Sequence, residues 1–365
     1  MHRNLGLFIP MSLKQGMAGL AKHTLSKRQK YIHMTHSPSI TPGNPRHLLT
    51  IADLSAPELI CLIQNASKTK RYMKSLKKTP SHLGASLAGK TVAMMFSKRS
   101  TRTRVSSEAA ITILGGQPMF LGSSDIQLGV NESLYDTSKV ISSMTAAILA
   151  RVADHSEVAE LARWSSVPVI NALSNNFHPL QAIADFQTIN ESVTDLHKDG
   201  FHNLKIAWIG DSSNVLCDLA IAAMKLGVNL SIASPSGYTI PPSIKKLINS
   251  ANQTGADFHE THVPEEAIKG ADVLLTDTWI SMGQEKEAAG RKQAFSGFQI
   301  TEALAQKGGA KQGWKFMHCL PRHSEEVDDG VFYGNRSLVF PEAENRLWSA
   351  VSVLEGFVIN RGVII

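Results

Sequence analysis

Apolar residues in this chain fall into short runs, and stretches with helical spacing lie between them. Residues 90–96 and 147–151, for example, form almost uninterrupted apolar runs, as expected of strands that are buried on both faces of a parallel sheet. Residues 103–114 place apolar side chains at helical spacing and end at Gly115 and Gly116, where a helix commonly stops. This alternation predicts parallel sheets with helices on both faces.

The alternation occurs twice along the chain. Strands are predicted first at residues 90–96, 118–121, 147–151 and 167–172, and then at 205–210, 229–234, 258–262, 272–277 and 315–319. A long helix over 178–191 joins the two series. We therefore predict an α/β fold with two domains, each a parallel sheet with helices on both faces, joined by long helices. The expected domains are residues 46–185, completed by a C-terminal helix 343–365, and residues 186–342.

Composition supports a folded chain with a large core, because 43% of its 365 residues are hydrophobic and only 19% are charged. No run approaches the 18 or so consecutive apolar residues of a membrane span, so we expect no membrane association. The three cysteines, Cys61, Cys217 and Cys319, form no CxxC pair. They argue against a disulfide scaffold and a structural zinc site and favour a reducing compartment.

The basic charge is concentrated at the N-terminus. The chain carries 37 basic and 31 acidic residues, yet the first acidic residue is Asp53. The rest of the chain is close to neutral, so no nucleic-acid partner is expected. Residues 1–45 are basic, free of acids and able to form an apolar helical face, which predicts a mitochondrial transit peptide and linker. A disordered basic tail is the alternative interpretation.

Ligands of open α/β sheets bind beyond the carboxyl ends of the strands, so the loops there are the first candidates for chemistry. Residues 96–104 follow a strand and open a helix, with Ser100 at the expected N-cap. Helix amides, the hydroxyls of Thr101 and Thr103 and the Arg102 guanidinium together predict a phosphate site. The loop lacks the nucleoside triphosphate motif. A basic, solvated helix start is the alternative.

Other strand ends carry polar groups with less specific patterns. Arg151 could contact a ligand or serve as a salt-bridge partner. His178 and Gln181 lie three residues apart at a helix start, where both side chains could donate to a carbonyl oxygen. The loop at 210–214 lacks the glycines of a dinucleotide site, so a nicotinamide cofactor is poorly supported.

The last two loops could bind an amine and a carboxylate. Asp277 can pair with an amine, and Ser281 with the Gly283 backbone can hold a carboxylate. Cys319 could bind or deprotonate an amine if it lies near Asp277. A buried cysteine is more often a small apolar residue, so this interpretation depends on the tertiary structure.

Together these loops resemble those of ornithine carbamoyltransferases. The shared motifs are Ser-Thr-Arg-Thr at 100–103, His-Pro-Leu-Gln at 178–181, Ser-Met-Gly at 281–283 and His-Cys-Leu-Pro at 318–321. Their order and spacing match from about residue 47 to residue 361. The first two motifs are general to carbamoyltransferases, whereas the last two point to ornithine as the acceptor.

The resemblance implies a role for each matching residue. It implies that carbamoyl phosphate is bound by Ser100, Thr101, Arg102, Thr103, Gln127 of an adjacent subunit, Arg151, His178, Gln181, Cys319, Leu320 and Arg346. It implies that L-ornithine is bound by Asn214, Asp277, Ser281 and Met282. The implied catalytic residues are Cys319, Asp277, Arg151 and His178. We expect Cys319 to act as proton acceptor or orienter, and Arg151, His178 and Thr103 to stabilise the tetrahedral intermediate.

The same resemblance implies a homotrimer in the mitochondrial matrix that needs no cofactor and no metal. The implied reaction gives citrulline and phosphate, a step of arginine biosynthesis or the urea cycle. Carbamoyl transfer to aspartate or another amine, and a non-catalytic regulatory protein of the same fold, remain alternatives. A regulatory partner such as arginase is left open.

Overall fold

The computed structural model describes residues 44–75, 84–126, 132–194, 200–280 and 285–364. Two parallel sheets organise them. The first has the strand order β2-β1-β3-β4 and consists of β1 Thr91–Phe96, β2 Gln117–Gly122, β3 Ala147–Arg151 and β4 Val169–Leu173. The second has the order β7-β6-β5-β8-β9 and consists of β5 Lys205–Ile209, β6 Asn229–Ala233, β7 Phe258–Thr261, β8 Val273–Thr276 and β9 Lys315–His318.

Helices connect the strands within each sheet. Those of the first half are α1 Ala56–Ser75, α2 Arg102–Ile113, α3 Leu134–Met144, α4 His155–Trp164 and α5 Pro179–Ser192. Those of the second half are α6 Asn214–Leu226, α7 Pro242–Ala251, α8 Pro264–Ile268, α9 Ala288–Ala294, α10 Glu302–Gly308, α11 Asp329–Phe332 and α12 Val339–Leu354. The predicted fold class is confirmed, since every neighbouring pair of strands is parallel.

The first helix shows how local sequence sets an element boundary. The sequence pattern over residues 52–70 predicts one helix with Ser55 as its N-cap, but Ile51–Asp53 forms a separate 3₁₀ turn and α1 begins at Ala56. Thr50 and Asp53 close that turn as a capping box. Ser55 does cap α1, because its hydroxyl accepts from the Glu58 amide.

Two short helices, α9 and α11, were not predicted. They span seven and four residues, too few to show an apolar period. The last helix also begins earlier than predicted, at Val339 rather than residue 343, because Pro341 is tolerated in a first turn. Among the described residues, no helix combines the length and apolarity that crossing a bilayer would need.

Helices α5 and α12 pack against each other and against α1, and α12 also packs against α2. The largest apolar cluster runs through this contact and includes Leu149 of the first sheet, Phe186, Trp208 of the second sheet and Trp348. The two sheets therefore contribute to one buried apolar cluster.

Candidate active site

The predicted phosphate loop lies between β1 and α2. Phe96 and Arg151 are paired in register at the ends of β1 and β3, so the loop starts beside Arg151. Thr101, which directly precedes α2, has helical backbone angles and makes no side-chain capping bond. The predicted cap, Ser100, makes that bond instead: its hydroxyl accepts from the Thr103 amide at 3.3 Å and so covers a free amide of the first turn.

Three guanidinium groups converge beside this loop. Burial, together with nearby Arg102, lowers the pKa of Arg151 to about 10. Burial also lowers the pKa of Arg346 to about 10; Asp185 opposes that effect, and Arg151 and Arg102 add to it. Within the described part of the chain, Nε of Arg151 and Nε of Arg346 have no hydrogen-bond partner. Buried cations with unused donors are costly, so this arrangement is suited to bind an anion.

His178 lies at the N-terminus of α5 and is 3% exposed. Its pKa is held well below the ordinary value, first by burial and then by Arg346, Arg151 and Arg102. The imidazole is therefore neutral at physiological pH. Nδ1 has no hydrogen-bond partner among the residues that the structure describes, so the ring can serve as a neutral donor to a ligand oxygen.

The side-chain amide of Gln181 is hydrogen-bonded at both ends. Its Nε2 donates to Asp185 Oδ1 at 2.7 Å and to Glu342 Oε1 at 3.0 Å. Its Oε1 accepts from Arg346 at 2.6 Å. Only this amide orientation suits two carboxyls on one side and a guanidinium on the other. Gln181 therefore orients Arg346, and its contact with the carbamoyl oxygen stays a prediction.

The second half of the site lies at the ends of β8 and β9, where Thr276 and His318 are paired. The Cys319 thiol donates to Asp277 Oδ1 at 3.0 Å. Burial, followed by Asp277 and Glu342, raises the pKa of Cys319 well above its ordinary value. The thiol stays protonated at neutral pH, which favours the orienting role predicted for it over the role of proton acceptor.

The backbone after β9 turns sharply around His318. The Leu320 amide donates to His318 Nδ1 at 2.8 Å, and Leu320 has a φ of 62°, a left-handed conformation that is costly for leucine. Nδ1 is therefore an acceptor, so Nε2 carries the proton that faces Glu326 Oε1 at 3.3 Å. Asp277, His318 and Cys319 bring potential ligand atoms within 4.8 Å of one another, but hydrogen bonding alone accounts for this cluster.

Three buried carboxyl groups at this site were not predicted from the sequence: those of Asp185, Glu326 and Glu342. A signal for two of them exists in the spacing, since Asp185 lies four residues after Gln181 and Glu342 four before Arg346. Residues four apart share a helix face. Nothing local indicated that the two faces would meet.

Of the remaining predicted site residues, Thr103 and Asn214 form hydrogen bonds within the described structure. Thr103 is buried and its hydroxyl accepts from Arg346 at 3.4 Å. The Asn214 amide donates to the Ser174 carbonyl at 2.6 Å, which links α6 to the loop after β4. Gln127, Ser281 and Met282 lie outside the described residues.

Two family models match this chain in succession. Residues 46–191 match the carbamoyl phosphate-binding domain of aspartate/ornithine carbamoyltransferases, and residues 202–356 match the aspartate/ornithine-binding domain. The chain therefore belongs to the aspartate/ornithine carbamoyltransferase family.

Individual proteins similar to this chain are named ornithine carbamoyltransferases. The chain is 61% identical to the mitochondrial ornithine carbamoyltransferase of Emericella nidulans over 350 residues, covering 94% of this chain and 96% of the relative. The crystal structure of the mitochondrial ornithine carbamoyltransferase of Coccidioides immitis has a TM-score of 0.82 and 59% identity, covering 88% of this chain and all of that one. The ornithine carbamoyltransferase of Pyrococcus furiosus has a TM-score of 0.80 and 41% identity, with coverage of 88% and 99%.

Proposed function

We propose that this protein transfers the carbamoyl group of carbamoyl phosphate to the δ-amine of L-ornithine, giving L-citrulline and phosphate. The observation that carries the proposal is the convergence of Arg102, Arg151 and Arg346 around a neutral His178. The names of the relatives identify ornithine as the acceptor. The reaction is a step of arginine biosynthesis or the urea cycle.

In this proposal the phosphate group lies on the loop of residues 100–103, where hydroxyls and the start of α2 provide donors. Arg151, His178 and Thr103 face the carbamoyl oxygen and stabilise the negative charge that develops there. Preorganised donors are effective because they need no rearrangement as the charge forms. Arg346, oriented by Gln181, completes the anion site, and the backbone at Cys319 and Leu320 accepts from the carbamoyl amide.

The acceptor amine must lose a proton before it can attack, because an ammonium group has no free electron pair. Asp277 faces the amine in this proposal, and the Cys319 thiol orients its carboxylate through the 3.0 Å hydrogen bond. Asn214, Ser281 and Met282 hold the amino acid portion of ornithine. The ammonium gives one proton to solvent, and the electron pair of the neutral amine bonds to the carbamoyl carbon. Phosphate then leaves with the electrons of the C–O bond and takes up the second proton, which the attacking nitrogen loses as the C–N bond forms.

The test is citrulline production from ornithine and carbamoyl phosphate by the chain from residue 35 onward. Turnover with ornithine, and none with aspartate or putrescine, supports the proposal. Turnover with another amine instead favours a different carbamoyltransferase. Binding of carbamoyl phosphate without turnover of any amine favours a non-catalytic regulatory protein.

We also propose a homotrimer in which Gln127 reaches the carbamoyl phosphate site of the adjacent subunit. The first domain supports an interface, because α2, β2 and α3 expose large apolar side chains: Val105 is 62% exposed, Met119 45%, Val140 48% and Met144 69%. Light scattering that gives the mass of a monomer at assay concentration would refute the trimer.

The proposed location is the mitochondrial matrix. The relatives in Emericella nidulans and Coccidioides immitis are named mitochondrial, and residues 1–45 have the composition of a transit peptide. A reporter fused to residues 1–45 should enter the matrix, and a cytosolic reporter would refute the prediction. We retain residues 46–185 with 343–365, and residues 186–342, as the proposed domain division.

A further inference from the structure

Two carboxyl groups meet at the contact between α5 and α12. Asp185 and Glu342 are both 0% exposed, and one nitrogen atom, Nε2 of Gln181, donates to an oxygen of each, at 2.7 and 3.0 Å. Two ionised carboxylates held this close together in a buried site would repel each other strongly. The pair therefore holds one shared proton and carries one negative charge, as closely spaced buried carboxyls generally do.

One set of contacts leads from this pair toward the phosphate loop. Gln181 donates to both carboxyls, at 2.7 and 3.0 Å. The opposite end of the same amide accepts from Arg346 at 2.6 Å, and Arg346 donates to Thr103 at 3.4 Å. Because the carboxyls occupy both N–H groups, the amide oxygen must face the guanidinium. The pair thereby sets the direction of Arg346.

A second set of contacts leads toward the acceptor site. Glu342 Oε2 accepts from the backbone amide of His318 at 2.8 Å. The next residue, Cys319, donates its thiol proton to Asp277. Glu342 thus anchors the loop that carries Cys319, whereas the hydrogen bond of Asp185 leads to Gln181. Loss of Glu342 can therefore affect both the phosphate site and the Cys319 loop, whereas loss of Asp185 can affect the phosphate site.

The charged surroundings suit a pair with one proton. Arg346, Asp277 and the Cys319 thiol are the titratable groups that act on it. Burial raises the pKa of Asp185 to about 7 despite the opposing effect of Gln181, and burial with Asp185 raises that of Glu342 well above its ordinary value. The pair therefore retains a proton at neutral pH and supplies the counter-charge to Arg346.

We propose that Asp185 and Glu342 are positioning residues that act as one pair with a shared proton. The pair aims Arg346 at carbamoyl phosphate through Gln181, and Glu342 alone also fixes the loop that presents Cys319 and Asp277 to the amine. This inference rests on the proposed function, because both substrates belong to that reaction.

The test compares amide and leucine variants in the full enzyme. Asp185→Asn keeps an oxygen toward Gln181 and replaces the shared proton by a fixed N–H, so it should keep the KM for carbamoyl phosphate within about threefold of wild type at pH 7.5. Glu342→Gln has a single oxygen and cannot accept from both Gln181 and the His318 amide, so it should raise that KM. Asp185→Leu should raise that KM at least tenfold and change kcat less than threefold. Glu342→Leu should raise the same KM and also lower kcat at least tenfold, because the Cys319 loop loses its anchor.

If Asp185 and Glu342 had only a structural role, their leucine variants would have lower melting temperatures, and KM and kcat would not respond differently to the two substitutions. Equal KM values in the leucine and wild-type enzymes would overturn the proposal. Should a leucine variant not fold, the pH dependence decides: the wild-type KM for carbamoyl phosphate should rise between pH 7 and 9 as the shared proton leaves, and the amide variants should lack this rise. Identical profiles would also overturn the proposal.

Calorimetric binding of carbamoyl phosphate to the same variants distinguishes a failure of the paired-carboxyl proposal from a failure of the proposed function. A wild-type enzyme that binds carbamoyl phosphate and makes no citrulline counts against the proposed function. In that case, weaker binding by the leucine variants with intact binding by the Asp185→Asn enzyme still supports the pair, and unchanged binding in all of the variants refutes it.

Discussion

Replacing Arg151 by methionine should make the free enzyme more stable and much less active. The guanidinium is 7% exposed, and its Nε has no partner in the part of the chain that the structure describes. Burial and Arg102 lower its pKa to about 10, which corresponds to a cost of about 3 kcal/mol for keeping the charge in the folded state. A methionine of similar length removes that cost.

The same substitution removes a preorganised donor from the carbamoyl oxygen. Loss of one such donor typically lowers kcat by about 10² to 10³, or roughly 3–4 kcal/mol of transition-state stabilisation. We therefore expect opposite changes in stability and activity, as is common where an active site holds unpaired charge.

Melting temperature and steady-state kinetics of the Arg151→Met enzyme test both effects together. The melting temperature without ligand should rise by several degrees, at roughly 2–4 °C per kcal/mol for domains of this size. Arg163→Met is the matched control, because Arg163 is exposed on α4 and lies outside the site. A lower melting temperature with unchanged kcat/KM would refute the account of Arg151 as an unpaired, ligand-directed cation.

Three further predictions concern separate groups. Arg102→Ala should raise the KM for carbamoyl phosphate at least tenfold, and an unchanged KM would contradict the phosphate site. Cys319→Ala should lower kcat more than Cys319→Ser, which keeps a donor to Asp277; equal losses would exclude the orienting role. Burial raises the pKa of Asp218 to about 7, so ionisation of the unfolded state lowers wild-type stability between about pH 4 and 7. The melting temperature of Asp218→Asn relative to wild type should therefore increase across that range, and a constant difference would refute this.

Most strands and helices could be predicted from the sequence because burial gives each element a regular spacing of apolar residues. Strand β3 matches its predicted bounds, and α6 matches the helix that the apolar pattern of residues 214–226 predicts; both are almost completely buried. The short helices α9 and α11 were missed, since an element of one or two turns is stabilised by its tertiary contacts rather than by a repeat of its own.

The sequence by itself determined where most strands end and where the helices that follow them open, and this is why the phosphate loop could be predicted from neighbouring residues. Only the tertiary structure decided that Gln181 faces two carboxyls and that Glu342 anchors the His318 amide. These contacts join residues that lie far apart in the chain. Helical periodicity reports that a side chain is buried, but not which side chain it meets, so protonation and amide orientation at the site depend on packing.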